Sequence, residues 1–358
     1  MERPAITALT AQLRRYVDLS KSRLETMALL TVGMIGARTV NLVHIADERG
    51  STTVDPASTY RRLQRFFQHV RLEEDWSAPL LAGFAGGAEK RTLIIDRTNW
   101  KVGETHINLF VLAIRTRHSQ VPLMWTVLDK AGTSDMEERI ALIQRYIACF
   151  GKHTIKMLLA DREFVGDDWF NYLADNDIPF TIRLPNNRVV TLDNGRKPYL
   201  ADMITLPSKG RRITATLNGM TKPLIFAAVT PKGRERVIVA TNVPGHNPLT
   251  TYRKRWAIES LFGNTKTRGL NFEDTKLTAP AKLALLTAIV ALAIAWSVRA
   301  ARTVLGQNAP PRKAHGYLAK SYFRVGFTHL RNLMRANDPN IVIEWVRLKI
   351  SGILVRVV

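Results

Sequence analysis

Apolar residues recur near helical spacing from Leu24 to Val43 and again from Tyr60 to Val70, so the N-terminal part of the chain reads as helical. The polar stretch Asp47 to Asp55 separates the two runs. From Arg91 the texture changes. Leu93 to Ile95, His106 to Ile114 and Val121 to Leu128 are short runs rich in β-branched or aromatic residues, the composition of strands. Helical spacing returns at Ile140, Ile143, Ile147 and Phe150, behind Ser134 and Glu137, which have the spacing of a capping box. The apolar run Ile155 to Leu159 then predicts a buried strand leading into Ala160 and Asp161. A helix over Asp167 to Ala174 and a strand over Phe180 to Leu184 follow.

Between 185 and 243 the helical signal almost vanishes, and Val189 to Leu192, Ile213 to Leu217, Leu224 to Val229 and Val237 to Ala240 predict short strands. Asn194-Gly195, Asn218-Gly219 and Pro231-Lys232-Gly233 punctuate them as hairpin turns do, and the turns carry Arg196, Lys197, Lys209, Arg211, Arg212, Lys232 and Arg234. Helical sequence resumes near Leu249 and continues, with breaks at Ala279-Pro280 and Pro310-Pro311, into a basic C-terminal region. Within it Leu283 to Val298, bounded by Lys282 and Arg299, is apolar but shorter than the ~20 residues of a membrane span, which favours a buried core helix.

Three strands, a helix, a buried strand, a helix and a further strand predict an α/β fold with a mixed sheet covered by helices, an order similar to a ribonuclease-H-like core. The expected organisation is a helical region over 1–80, the first part of the core over 88–184, a β-rich insertion over 185–245, the second part of the core over 246–305, and a basic region over 306–358. A chain of 358 residues exceeds one ordinary single-core domain, which agrees with several units.

Charge narrows the class of partner. The chain has 52 Lys and Arg against 30 Asp and Glu, a net charge of +22, and such a surface seeks polyanions. Arg61, Arg62 and Arg65 stand on a short predicted helix that starts at Ser58 or Thr59. They suit a small DNA-binding unit, such as a helix-turn-helix, and equally a helical bundle with solvated arginines. Cys149 is the only cysteine, which excludes an intrachain disulfide and any zinc site built from several cysteines, and fits a reducing interior. No continuous apolar run follows Glu2 and Arg3, so no signal peptide is expected and the cytoplasm is the expected location.

Two carboxylates then draw attention, because Asp96 follows Leu93-Ile94-Ile95 and Asp161 follows Met157-Leu158-Leu159-Ala160. An apolar strand with an acidic terminus holds a metal-binding oxygen rigidly at the mouth of a crevice, although a turn or helix cap uses the same residue. Tyr252, Arg255, Glu259 and Lys266 have the spacing Y-x2-R-x3-E-x6-K. On a continuous α-helix they fall at roughly 0°, 300°, 340° and 320°, one narrow face. A solvated salt-bridge face is the plainer account of that stripe. Phosphodiester chemistry is the sharper one: three carboxylates suit a pair of hard divalent ions that activate a nucleophile and stabilise the leaving oxygen. Arginine and lysine on the same face would hold neighbouring phosphates, and a tyrosine would hydrogen-bond a phosphate or stack on a base. Gly263 lies in the same predicted helix, where glycine costs about 1 kcal/mol relative to alanine; close approach of a DNA backbone explains it, and so does tight helix packing.

Asp96 in Ile-Ile-Asp-Arg-Thr-Asn-Trp, Asp161 in Leu-Ala-Asp-Arg-Glu-Phe, and the Tyr252, Arg255, Glu259 and Lys266 set together resemble the DDE transposases of bacterial insertion sequences. The similarity is greatest to the Tyr-Arg-Glu-Lys subgroup, the insertion-sequence-four family, over about residues 90 to 270. The resemblance implies a ribonuclease-H-like catalytic core in which Asp96, Asp161 and Glu259 bind two Mg²⁺ or Mn²⁺ ions. It further implies Arg162 and Lys266 as DNA contacts beside Tyr252 and Arg255, an N-terminal DNA-binding region, double-stranded DNA as element end and target, and self-association on DNA. Hairpin-forming relatives use a tryptophan in the β insertion, and none occurs here between Trp169 and Trp256. A nuclease on the same core and a DNA-binding regulator derived from a transposase are the rival readings.

Other acids and bases carry less. Glu163 diverges from Asp161 in direction, and Asp135, Glu137 and Glu138 read as a cluster favouring a helix N-terminus. The eight histidines lack H-x3-H and H-E-x-x-H spacings, so nothing suggests a zinc hydrolase.

Overall fold

The computed structural model describes residues 3–192, 194–203, 212–233, 235–306, 308–314, 316 and 318–348; the turn cations Lys209, Arg211 and Arg234 lie outside the described residues. Helices α1 (Pro4–Leu13), α2 (Lys21–Ala37), α3 (Leu42–Asp47), α4 (Pro56–His69) and α5 (Ala78–Ala85) precede the sheet. α4 starts earlier than Ser58 or Thr59: Pro56 sits in its first turn, where a missing N–H is no loss, and Asp55 accepts from the N–H of Ala57. α2 is buried almost all round, from Leu24 to Ile35. It is enclosed because it packs on α1, α3 and α4 and also on two C-terminal helices, α11 (Pro280–Leu305) and α12 (Tyr322–Arg335).

Among the described residues one sheet runs β3-β2-β1-β4-β5-β9-β8-β7-β6. The first five of these in sequence are β1 (Arg91–Val102), β2 (Thr105–Arg115), β3 (Gln120–Leu128), β4 (Ile155–Ala160) and β5 (Phe180–Leu184). β6 (Val190–Thr191), β7 (Arg212–Leu217), β8 (Leu224–Val229) and β9 (Val237–Thr241) complete it. β1, β4 and β5 are parallel neighbours; the other pairs are antiparallel. The strands of the 185–245 stretch extend the sheet through the β5–β9 pairing.

α6 (Met136–Phe150) leads from β3 to β4, α7 (Asp167–Asp175) connects the parallel strands β4 and β5, and a short α8 (Leu200–Met203) follows β6. The capping box of α6 is Asp135 with Glu138, one residue later than the spacing of Ser134 and Glu137 suggests. Ser134 is instead buried, and its hydroxyl accepts from Nε of Arg139 at 3.0 Å.

α9 (Pro248–Tyr252), a 3-10 turn (Arg253–Trp256) and α10 (Ala257–Thr265) lead into α11. α11 is long and apolar enough to cross a membrane, yet 83% of its most apolar window is buried inside the protein. It packs on β3, α2, α5 and α12, with the indole of Trp125 donating to the carbonyl of Ala284 at 3.2 Å. A 3-10 turn (Pro339–Val342) and α13 (Ile343–Val346) close the described chain, and Trp345 meets Trp296 of α11 edge to face.

Candidate active site

β1 pairs with β4 in parallel as far as Ile94 opposite Leu159. Two residues further along each strand stand Asp96 and Asp161, so matched registers deliver both carboxylates to one end of the strand pair. Asp161 leaves β4 and caps the 3-10 turn Arg162–Phe164, accepting the N–H of Arg162 at 2.8 Å. Asp96 does not end its strand as expected. β1 continues to Val102, carried by antiparallel pairing with the long β2, and Asp96 accepts the N–H of Arg97 at 2.8 Å.

The signature residues are not on one continuous helix. A 3-10 turn separates α9 from α10, and 3-10 winding eclipses side chains three apart. That sets the guanidinium of Arg255 against the Tyr252 ring, 5.7 Å from its centroid. Arg255 is 6% exposed and joins the three carboxylates: Nη1 lies 3.0 Å from Oδ2 of Asp96, Nη2 3.3 Å from Oδ2 of Asp161 and 3.5 Å from Oε1 of Glu259. Tyr252 donates its hydroxyl proton to Oδ1 of Asp161 at 3.0 Å. Glu259, one turn beyond Arg255, stays half exposed at the rim.

Lys266 and Arg162 stand apart from this cluster. Lys266 terminates α10, and its Nζ lies 2.7 Å from Oε1 of Glu273 and 3.4 Å from the carbonyl of Asn99. The exposed guanidinium of Arg162 meets Glu235 at 3.0 Å. Glu235 also holds Arg183 of β5 at 3.0 Å, and Arg183 lies 3.8 Å from Asp161. Sequence reasoning missed Arg183 and Glu235. A cation inside the apolar strand Phe-Thr-Ile-Arg-Leu was the available signal for the first, whereas Glu235 sits in an unremarkable loop. Arg97 was missed too: it bonds Glu163 at 3.0 Å and Asn108 at 3.1 Å, so Glu163 joins the acidic cluster with its charge already met.

Burial dominates the electrostatics. It pushes the Asp96 carboxyl up to about 6, against the pull of Arg255 and the Arg97 N–H, with Glu163 and Asp161 adding to the rise. Burial likewise raises the Tyr252 hydroxyl, which therefore stays protonated and able to donate to Asp161. For Arg255 burial works against the charge, and Tyr252, Asp161 and Asp96 outweigh it, so the guanidinium is held charged. Arg97, Arg183 and Arg255 each keep a buried Nε with no hydrogen-bond partner among the described residues.

As donors, Asp96, Asp161 and Glu259 fit hard divalent ions, which take carboxylate oxygens. Their present spacing is that of a guanidinium site: among the described residues no three His, Cys, Asp or Glu side chains group closely enough to hold an ion, and Arg255 bridges them instead.

None of the curated proteins matches the chain. Among solved structures it is similar to a Marinitoga piezophila Argonaute in complex with 5′ OH guide RNA and target DNA, at 13% identity and a TM-score of 0.22, over 66% of this chain and 34% of that one. The chain thus spans about a third of that protein, and a likeness so slight carries no argument. Residues 87–296, which hold Asp96, Asp161, Tyr252, Arg255, Glu259 and Lys266, match the family described as Transposase DDE domain. That match takes in more than half of the chain and the whole carboxylate cluster, and the chain belongs to the transposase DDE domain family.

Proposed function

We propose that this protein is a transposase of the Tyr-Arg-Glu-Lys subgroup that binds the ends of an insertion sequence, cleaves them by metal-dependent phosphodiester hydrolysis and joins the 3′ ends to target DNA. The observation that carries the reading is the meeting of Asp96, Asp161 and Glu259, from β1, β4 and α10, around one guanidinium. The strand order β3-β2-β1-β4-β5, with β1, β4 and β5 parallel, supports a ribonuclease-H-like core within it.

In this reading the three carboxylates would hold two Mg²⁺ or Mn²⁺ ions. When bound, these supply activation of the attacking oxygen and neutralisation of the scissile phosphate. The chain's own residues do the positioning. Tyr252 fixes Oδ1 of Asp161, Arg97 pairs with Glu163 beside Asp96, and Asp96 is held within β1 while Asp161 stands directly after β4. Arg162 and Lys266 would contact phosphates once DNA displaces Glu235 and Glu273, with arginine offering a fork and lysine a point charge. Arg61 and Arg65, exposed on α4, support DNA contact by the N-terminal helices, whereas Arg62 is tied to Glu25 at 3.0 Å. Pairing two element ends calls for at least two protomers, so self-association on DNA belongs to the reading, as does a cytoplasmic, nucleoid-associated location.

The test is cleavage of a labelled duplex carrying the sequences that flank the gene, with Mg²⁺ and with EDTA, comparing the protein with Glu259→Ala and Asp161→Asn. We expect nicking only with metal, reduced more than about a hundredfold in both variants while end binding persists. Joined products establish transposition, and cleavage without joining makes the protein a nuclease. Binding without any metal-dependent cleavage leaves a regulator.

A further inference from the structure

A second basic feature lies away from the carboxylates. An open cleft of about 650 Å³ is formed by the Ala85–Ala88 loop after α5, the first residues of β1, the end of β2, the start of β4, Lys254 and Arg302 of α11. Seven lysines and arginines line it, with no carboxylate among the described residues that do. Lys90, Lys156, Lys254 and Arg302 are exposed, and none is within ion-pair distance of an acid among the described residues. Arg91 is braced over the Phe150 ring at 4.7 Å and donates to the Tyr146 hydroxyl, so its charge is oriented but not neutralised. Cations gathered around one cavity repel one another, an arrangement that is relieved by a polyanion.

We propose that this cleft binds the phosphate backbone of duplex DNA, as a surface separate from the carboxylate centre; the proposal rests on the reading that the protein acts on DNA.

The geometry favours a backbone over a single anion. The cations are spread along the cleft on three strands, two loops and two helical segments rather than converging on one point. One wall is Ala85-Gly86-Gly87-Ala88, and a Cβ at Gly87 would meet nothing within 4 Å, so a sugar–phosphate chain can approach the main chain there. Gly86 has φ 100°, a conformation that side-chain-bearing residues rarely adopt, which keeps that wall bare. Arg115 contributes from the end of β2, where burial alone lowers the affinity of its guanidinium for the proton; an anion alongside would reverse that.

The position relative to the carboxylates is also informative. Lys156 and Arg91 each precede their strand's aspartate by five residues, so the cleft lies about 17 Å along the strands from the carboxylates. With a rise of about 3.4 Å per base pair, that is about five base pairs. Lys254 lines the cleft and belongs to the turn that carries Arg255 to the carboxylates, so that turn borders both. A duplex that reaches from one to the other would place its cleft-bound phosphates about five base pairs from the scissile one.

The test is fluorescence anisotropy of a labelled duplex across a NaCl series, for the unaltered chain, for Lys90→Ala, for Lys156→Ala, and for these two combined with Arg302→Ala. Removing one cation that neutralises a phosphate lowers the slope of log K against log salt by about 0.9. We expect each single variant to remove about one unit, the triple variant about 2–3 units and roughly tenfold or more in low-salt affinity, with circular dichroism matching the unaltered protein. Unchanged slopes in variants that fold, while the unaltered chain binds and cuts DNA, overturn this inference alone. Failure of the unaltered chain to bind duplex overturns the functional reading and this inference with it. The single variants change one exposed side chain each and carry the test if the triple variant does not fold.

Discussion

Asp96 sits where its own charge is least welcome, and that has a measurable sign. Its carboxyl is raised to about 6 chiefly by burial, whereas in the unfolded chain it titrates at its ordinary 3.8. The native state therefore binds the proton more tightly than the unfolded state, and the stability this contributes is complete below pH 3.8 and lost as pH rises through about 6. Asp96→Asn, a neutral side chain of the same shape, should remove that loss and stabilise the metal-free protein near pH 7.5 by up to about 3 kcal/mol, with no gain near pH 4. Melting of both proteins in EDTA across this range checks it; a difference that does not vary with pH would mean that Arg255 keeps Asp96 ionised throughout. The residues of this cluster were legible in the sequence, because a carboxylate directly after an apolar run and the Y-x2-R-x3-E spacing are local signals. Their partners were not. That Arg255 would touch Asp96 rather than a phosphate, and that Arg183 would stand beside Asp161, depends on three elements converging from distant parts of the chain. No local pattern encodes that meeting.

At the scale of elements, period-two and apolar runs located the strands well, since each is a short stretch whose burial is written in its own composition. The errors fall where two local options compete. Asp135 took the cap from Ser134 because Ser134 is drawn inward by Arg139, and β1 outran its apolar run because β2 offered a ladder to pair with. The signature segment broke into α9, a 3-10 turn and α10, so a single helical face was the wrong frame for Lys266, although it placed Tyr252, Arg255 and Glu259 together. Two glycines give opposite expectations. A Cβ at Gly326 of α12 would lie 1.8 Å from the carbonyl oxygen of Ser297 and 2.5 Å from the N of Ala301, backbone atoms of α11 that cannot yield. Gly326→Ala should therefore force the helices apart and destabilise by about 1–3 kcal/mol or more. At Gly263 the nearest obstacle is the flexible Arg268 side chain at 3.1 Å, so tight helix packing does not account for that glycine. Gly263→Ala should stabilise by up to about 1 kcal/mol through helix propensity and, where DNA approaches α10, weaken DNA binding. Denaturant melts of the pair read both signs; destabilisation of similar size at both sites would refute the distinction.

For the molecule as a whole, segments far apart in the sequence share one sheet and one helical layer. The β-rich stretch lengthens the central sheet, and the N-terminal helices do not stand apart: α2 packs against α11 and α12, and α1 meets the turn Pro339–Val342 and α13. This joining was not readable from the sequence, because helical periodicity tells which residues are apolar and not which partner covers them. The apolar surround of α11, which its length and hydropathy would also allow in a membrane, is supplied in part by α2. Leu24, Met27, Leu29, Leu30, Val32, Met34 and Ile35 of α2 are all buried. At about 1.5–3 kcal/mol for each such side chain, that is about 10–20 kcal/mol, and even half of it rivals the 5–15 kcal/mol by which a typical domain is stable. A chain lacking residues 1–80 should therefore fail to give a cooperative thermal transition, and the intact chain should melt in one step by circular dichroism and by tryptophan fluorescence together. A truncated chain that melts cooperatively and still cleaves DNA with Mg²⁺ would show that α11 finds its cover elsewhere, and would restore the N-terminal helices as an independent unit.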